Sequence, residues 1–229
     1  GNVHLNWRRR LTDAGMLQVR AYYERFRFDS PNLLGEQRNI YHAEFQHDLP
    51  PTPAHRLVWG GNYRITDDEI ENGPVLAFDP DNRTDRVVGA FVQDTIALAS
   101  ALELTVGTKV EHNDYTGTAW QPNVRLVYLA SAEHAWWGAV SRAVRTPSRL
   151  DADLVFNGTP VGDRFDIERL TAYELGHRWQ PSADWSLDTA LFYNAYEDLQ
   201  TIEDDPTTAA TDIRFGNRMQ GHTYGVEFD

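Results

Sequence analysis

Cysteine is absent from the chain, basic residues are in the minority, and long apolar runs are missing; each lack removes a class of protein. Without cysteine there is no disulfide framework, no thiol catalysis and no zinc site built on thiolates, although the compartment stays open. The 34 acidic residues against 21 basic ones give a net charge of −13. That balance argues against nucleic acid as a partner, because phosphate binding needs clustered Lys and Arg. No stretch approaches the ~18 apolar residues of a transmembrane helix. The start, "GNVHLNWRRR", lacks the apolar core of a signal peptide, so the chain is expected to begin inside a longer protein.

Catalytic signatures are equally scarce. No GxSxG surrounds Ser141, and no HExxH occurs. His42 and His47 are an odd number of residues apart, which puts them on opposite faces of a strand. Neighbouring carboxylates such as Asp204 and Asp205 are expected by chance in so acidic a chain, and do not by themselves make a glycosidase pair. The "NGT" at Asn157 fits a glycosylation sequon and is no catalytic signal. No enzyme, no cofactor and no protein-bound metal is expected.

Aromatic residues and alternation are what the sequence does have. Seven Trp and ten Tyr are many for so hydrophilic a chain. Apolar residues recur with a period of two: Val3, Leu5 and Trp7; Leu17, Val19, Ala21 and Tyr23; Tyr41, Ala43 and Phe45; Leu57, Trp59, Tyr63 and Ile65. The pattern continues through Leu102, Leu104, Val106 and Val110, then Val124, Leu126 and Tyr128, then Tyr173, Leu175 and Trp179, then Trp185, Leu187, Leu191 and Tyr193. Opposite faces carry Glu103, Lys109, Glu111, Arg125, Glu174, Arg178, Asp188 and Asn194. One face is apolar and the other is wet, as in a strand that meets lipid on one side and water on the other. The Asp85–Leu98 strand fits this less well, because Asp94 shares a face with Val88, Ala90, Val92, Ile96 and Leu98; its lipid side stays unassigned.

The segments run to roughly ten to fifteen residues, beyond the ~5–6 of soluble sheets and enough for the ~9–11 of a tilted membrane strand. Short links at 12–15, 49–54, 99–101, 131–133 and 181–184 alternate with longer ones at about 29–38, 67–84, 113–119, 146–168 and 203–211. Short turns on one side and long loops on the other predict an up-and-down membrane barrel. Trp7, Trp59, Trp137, Trp179 and Trp185, with Phe45 and Tyr128, lie near the short turns and are expected to form one interfacial belt.

Four pieces in order, "GAFVQDTIAL" (89–98), "LELTVGTKVEHNDYTG" (102–117), "QPNVRLVY" (121–128) and "WWGAVSRAVRTPS" (136–148), resemble the middle of a TonB-dependent outer-membrane receptor barrel. "LTAYELGHRWQ" (170–180), "ALFYNAYEDLQTI" (190–202) and "GVEFD" (225–229) resemble the strands that follow in that family. The resemblance covers about the last 145 residues well and the rest through strand pattern alone. It implies an all-β, antiparallel barrel of about 22 strands closed by a plug, with ligand bound at the outer loops and import driven by the TonB complex. About eleven strands are expected here, with no plug, no TonB box and no terminal aromatic, hence part of a barrel domain in the bacterial outer membrane.

Within the barrel reading, Arg142 is expected to face the lumen, with Trp137, Ala139, Ser141 and Ala143 towards lipid, and Arg145 at the base of a long outer loop. Both arginines are read first as pairing the wall to neighbouring strands or plug. The candidate ligand-facing residues are the acids of the outer loops: Asp67, Asp68, Glu69, Asp79, Asp81, Asp151, Asp153, Asp163 and Asp166. Such oxygens suit a cationic or metal-bearing ligand, or calcium, and equally a solvated loop surface. The implied ligand is a scarce nutrient such as a ferric siderophore. A passive porin and a soluble carbohydrate-binding module are the alternatives.

Overall fold

The computed structural model describes residues 1–162, 165–204 and 213–229. In chain order the elements are β1 (Asn2–Leu11), β2 (Gly15–Ser30), β3 (Leu34–Asp48), β4 (His55–Asn72), β5 (Leu76–Phe78), β6 (Asn82–Ala99), β7 (Leu102–Asn113), β8 (Gly117–Leu129), β9 (His134–Arg145), α1 (Arg149–Asp153), β10 (Leu154–Phe156), β11 (Thr159–Pro160), β12 (Glu168–Ser182), β13 (Trp185–Asp204) and β14 (Ile213–Phe228). Eleven strands form one antiparallel sheet in the order β1-β2-β3-β4-β6-β7-β8-β9-β12-β13-β14, a curved wall with β1 and β14 at its edges. The remaining three, β11-β10-β5, form a small sheet made by loops.

Pairing register fixes the two faces, because residues directly opposite across an antiparallel ladder share a side. The row Val19–Phe45–Gly61–Ala90–Val110–Trp120 is apolar, as is Leu175–Leu191–Val226. On the other face Arg20 pairs with Glu44 at 2.5 Å, Arg56 with Glu103 at 2.6 Å and Arg178 with Asp188 at 2.8 Å. Leu5, Tyr41, Val88, Val106, Val124, Leu175, Leu191 and Tyr224 are all exposed, whereas the buried apolar side chains are Ile70, Phe78, Ala119, Val161, Phe165 and Ile167 at the long-loop end. A soluble sandwich would bury the first set. An apolar face left open along a whole sheet calls for an apolar covering.

Alternation alone left β6 open, and register closes the question: Val88, Ala90, Val92, Asp94 and Ile96 belong to the apolar face. Asp94 is tolerated there because it lies near the short-turn end, where His55 Nδ1 stands 2.7 Å from its carboxylate.

Two expectations are corrected. In β9 the faces are reversed: Trp136 is opposite Tyr128 and His177 on the apolar face, and Arg142 shares that face with Val140 and Val144. Arg142 is therefore not lumenal. Its long aliphatic stem can lie along the apolar surface while the guanidinium reaches towards the outer interface. Trp137 points into the lumen, against Gly176 and under the Arg125 guanidinium at 4.5 Å, and Trp136 takes its place in the belt. A pair of adjacent tryptophans satisfies a two-residue period in either phase, so only the partner strands decide.

The second correction concerns loops. The expected long links at 29–38 and 113–119 are tight hairpin ends over residues 31–33 and 114–116. Asn32 adopts φ 62° and Gly117 φ 74°, the left-handed conformations such turns need. Strands of up to 20 residues thus project well past a ~10-residue crossing.

Candidate functional site at the outer mouth

Two loops meet over the long-loop end of the lumenal face. One joins β4 to β6 and contains β5; the other joins β9 to β12 and carries α1, β10 and β11. Leu154, Val155 and Phe156 pair with Phe78, Ala77 and Leu76, so loops far apart in sequence are stitched into one cap. Asn72 brackets Phe78 from both sides, its Nδ2 donating to the Phe78 carbonyl and its Oδ1 accepting the Phe78 N–H at 2.8 Å. The Phe215 N–H donates to the Val161 carbonyl at 2.7 Å, which ties the second loop to β14 as well.

Charges hold the cap to the wall. Helix α1 begins with a capping box: Ser148 accepts from the Asp151 N–H, and the Asp151 carboxylate accepts the Ser148 N–H at 2.9 Å. The same carboxylate pairs with Arg145 at 2.8 Å, and Arg145 also reaches Glu168 at 3.2 Å. One turn on, Arg149 bridges Asp68 of β4 (3.1 Å) and Asp153 (2.9 Å), donates to the Pro80 carbonyl (2.7 Å) and stacks over Phe78. Arg83 continues the chain between Asp153 (2.9 Å) and Asp85 (2.7 Å), with its guanidinium 4.1 Å above the Tyr115 ring. Tyr115 donates its hydroxyl proton to Asp85 at 2.7 Å. Burial first, then the bond to Asp85 and that residue's negative charge, push the phenol's pKa up, so it stays a donor.

The candidate acids separate accordingly. Asp68, Asp151 and Asp153 are buried and paired with arginine, which ties the cap to the wall. Asp67 accepts from the Thr84 hydroxyl on the opposite face of β4. Asp79 and Asp166 line a cavity of about 720 Å³ with Arg83, Asp114, Tyr115 and Phe165. Glu69 shares the face of Asp67, and with Asp29, Glu71 and Arg27 of the same parity it lines a separate cavity of about 510 Å³ that Glu36 and Asp81 complete. Asp163 lies outside the described residues. Among the described residues no group of three or more His, Asp or Glu is arranged to hold a metal ion.

Arg83, Arg149 and Tyr115 are the partners sequence reading missed. A signal did exist for the helix: Ser148-x-x-Asp151 is the capping pattern. His134 and His177 were also missed as a pair, since only the β9–β12 register brings their rings together, at 3.0 Å on the apolar face.

A family model described as TonB dependent receptor-like, beta-barrel matches residues 1–229. Among solved structures, the siderophore receptor PirA from Pseudomonas aeruginosa superposes with a TM-score of 0.80 at 14% identity, over 99% of this chain and 43% of its own. The ferric enterobactin receptor PfeA from the same organism, as a mutant in complex with enterobactin, gives 0.78 at 14% identity, over 99% and 40%. The FrpB iron transporter from Neisseria meningitidis gives 0.75 at 14% identity, also over 99% and 40%. At such identities the likeness is one of fold, and the chain spans about two fifths of each of these proteins.

Proposed function

Because the chain belongs to the β-barrel family of TonB-dependent receptors, we propose that it forms part of the barrel wall and outer mouth of a receptor that imports a scarce nutrient, such as a ferric siderophore, across the bacterial outer membrane. The observation that carries this reading is the two-faced wall: one side apolar and exposed, the other charged and paired, with a folded cap over the polar side. The names of PirA, PfeA and FrpB support an iron-bearing ligand. Nothing in this role calls for catalysis. Energy would come from the TonB complex through a plug segment beyond these strands.

The mouth cavity adds a preference. It is lined by Asp79, Asp114, Asp153 and Asp166 against Arg83, and of these acids Asp153 is the one held by two arginines. A neutral or cationic ferric chelate would enter such a field more readily than a polyanionic one.

The test is radio-iron uptake in iron-starved cells that carry the intact receptor as their sole siderophore route. Binding without energy, and accumulation that a proton uncoupler abolishes, is the expected result; ferric trihydroxamate should outcompete a ferric tricatecholate trianion. Energy-independent flux of unrelated small solutes would instead establish a passive porin.

A further inference from the structure

An open apolar depression lies on the side of the wall away from the mouth. It measures about 700 Å³ and arises from one cross-strand row, Phe45–Gly61–Ala90–Val110, in which two large side chains flank two positions with almost none. Gly61 and Ala90 make its floor, Phe45 and Val110 its sides, and Tyr63 and Val88 its upper edge. A flat sheet face meets only fluid lipid, whereas a depression flanked by two large side chains gives one chain a place to lie.

Above the cleft, two residues beyond Val88 on the same face of β6, stands Arg86. Its side chain is 58% exposed and its ion pair with Asp114 is long, at 3.9 Å. Asp114 is engaged elsewhere, since its carboxylate accepts the Arg86 backbone N–H at 2.9 Å. His112, opposite Val88, borders the same edge and bonds Thr118 at 3.0 Å. An apolar slot capped by a planar, always-charged donor fork matches one kind of molecule: an acyl chain that ends in a phosphate.

We infer that this cleft is a binding site for an anionic membrane lipid, with an acyl chain between Phe45 and Val110 over Gly61 and Ala90, and its phosphate on Arg86. The inference rests on the membrane placement proposed above. Arg86 supplies headgroup selectivity; the small floor residues supply the chain site.

The intact receptor, extracted from outer membranes and stripped by detergent exchange, would be given equal amounts of phosphatidylglycerol and phosphatidylcholine with identical acyl chains, and retained lipid counted by native mass spectrometry. Wild type should keep the glycerol lipid about tenfold better, because both lipids carry the phosphate but the choline ammonium of the second cancels its net charge in front of Arg86. Arg86→Gln should abolish the preference, and Ala90→Phe should lower retention of both lipids, each variant still showing heat-modifiable gel mobility. Equal retention of both lipids by the wild type, or an Ala90→Phe variant that holds lipid as well as wild type, overturns the site while the receptor remains a barrel. A receptor with no heat-modifiable fold in detergent sinks the membrane reading together with the site.

Discussion

The wall and the cap meet at the ends of the same strands yet are held by different physics. In the wall each strand pairs with the next wall strand along the chain, the ladder satisfies the backbone, and side chains need only alternate between an apolar and a polar face. The cap is made of short elements, five residues of helix and strands of two or three, which have little stability by themselves. Its order depends on Arg149 and Arg83 reaching carboxylates contributed by β4, β6 and α1. The wall tolerates substitution wherever polarity is kept, whereas the cap has single points of failure.

The largest effect is expected where a buried charge loses its partner. Arg149→Ala leaves Asp68 and Asp153 buried with one guanidinium fewer between them, a loss of roughly 3–5 kcal/mol for breaking such a pair. The loss should be local. Hydrogen exchange and proteolysis should rise across 146–162 and 73–81, with heat-modifiable mobility of the wall unchanged. Arg149→Lys should recover only part of it, because one ammonium cannot reproduce the planar fork that meets Asp68, Asp153 and Pro80 together. If the wall melts with the cap, the two regions are not independent.

The converse test breaks the wall. Leu191 is half exposed on the apolar face, between Leu175 and Val226, and Leu191→Arg should cost about 2–4 kcal/mol if it lies near the bilayer midplane. Asn194 of the same strand has the other parity and pairs with Ala172 on the lumenal face. Asn194→Arg should change stability by no more than about 0.5 kcal/mol. Urea unfolding in lipid vesicles reads both. Equal effects would mean the two faces are not lipid and water.

A smaller effect is expected at the junction of the regions. Tyr115→Phe removes the hydroxyl from Asp85 but leaves Arg83 stacked on the ring, a loss of about 1.5 kcal/mol for a hydrogen bond to a charged group. Faster exchange at 114–116 and 83–85, without opening of α1, is the outcome that places Tyr115 at the rim of the network.

The same difference decides how much could be read from sequence. Strand number, the apolar and polar faces of most strands, and the placement of short turns follow from a period of two, which is a local signal. Two local signals failed where both phases fit: Trp136 and Trp137 are equally aromatic, and β6 carries Asp94 among valines, so only register with β8, β12, β4 and β7 settles them. The site was less legible. Acidic loops were visible, but which acids are paired depends on contacts such as Arg149 with Asp68 and Arg83 with Asp153, across 81 and 70 positions of chain. Charge composition counts such residues and cannot join them.

Ser148 offers the smallest test and the one most specific to the cap. Its hydroxyl oxygen accepts the Asp151 N–H and its hydroxyl donates to the Asp151 carboxylate at 2.9 Å, so one side chain both starts α1 and fixes the acid that Arg145 binds. Ser148→Ala should cost about 1 kcal/mol, the usual worth of an N-cap. Because Asp151 also accepts the Ser148 backbone N–H and is held by Arg145 and Gln200, the carboxylate should stay in place and only the first turn should fray. Exchange confined to 149–152 would show that the ion pairs, and not the helix, hold the cap down. Exchange spreading to 154–160 would show that β10 needs a formed helix before it can pair with β5.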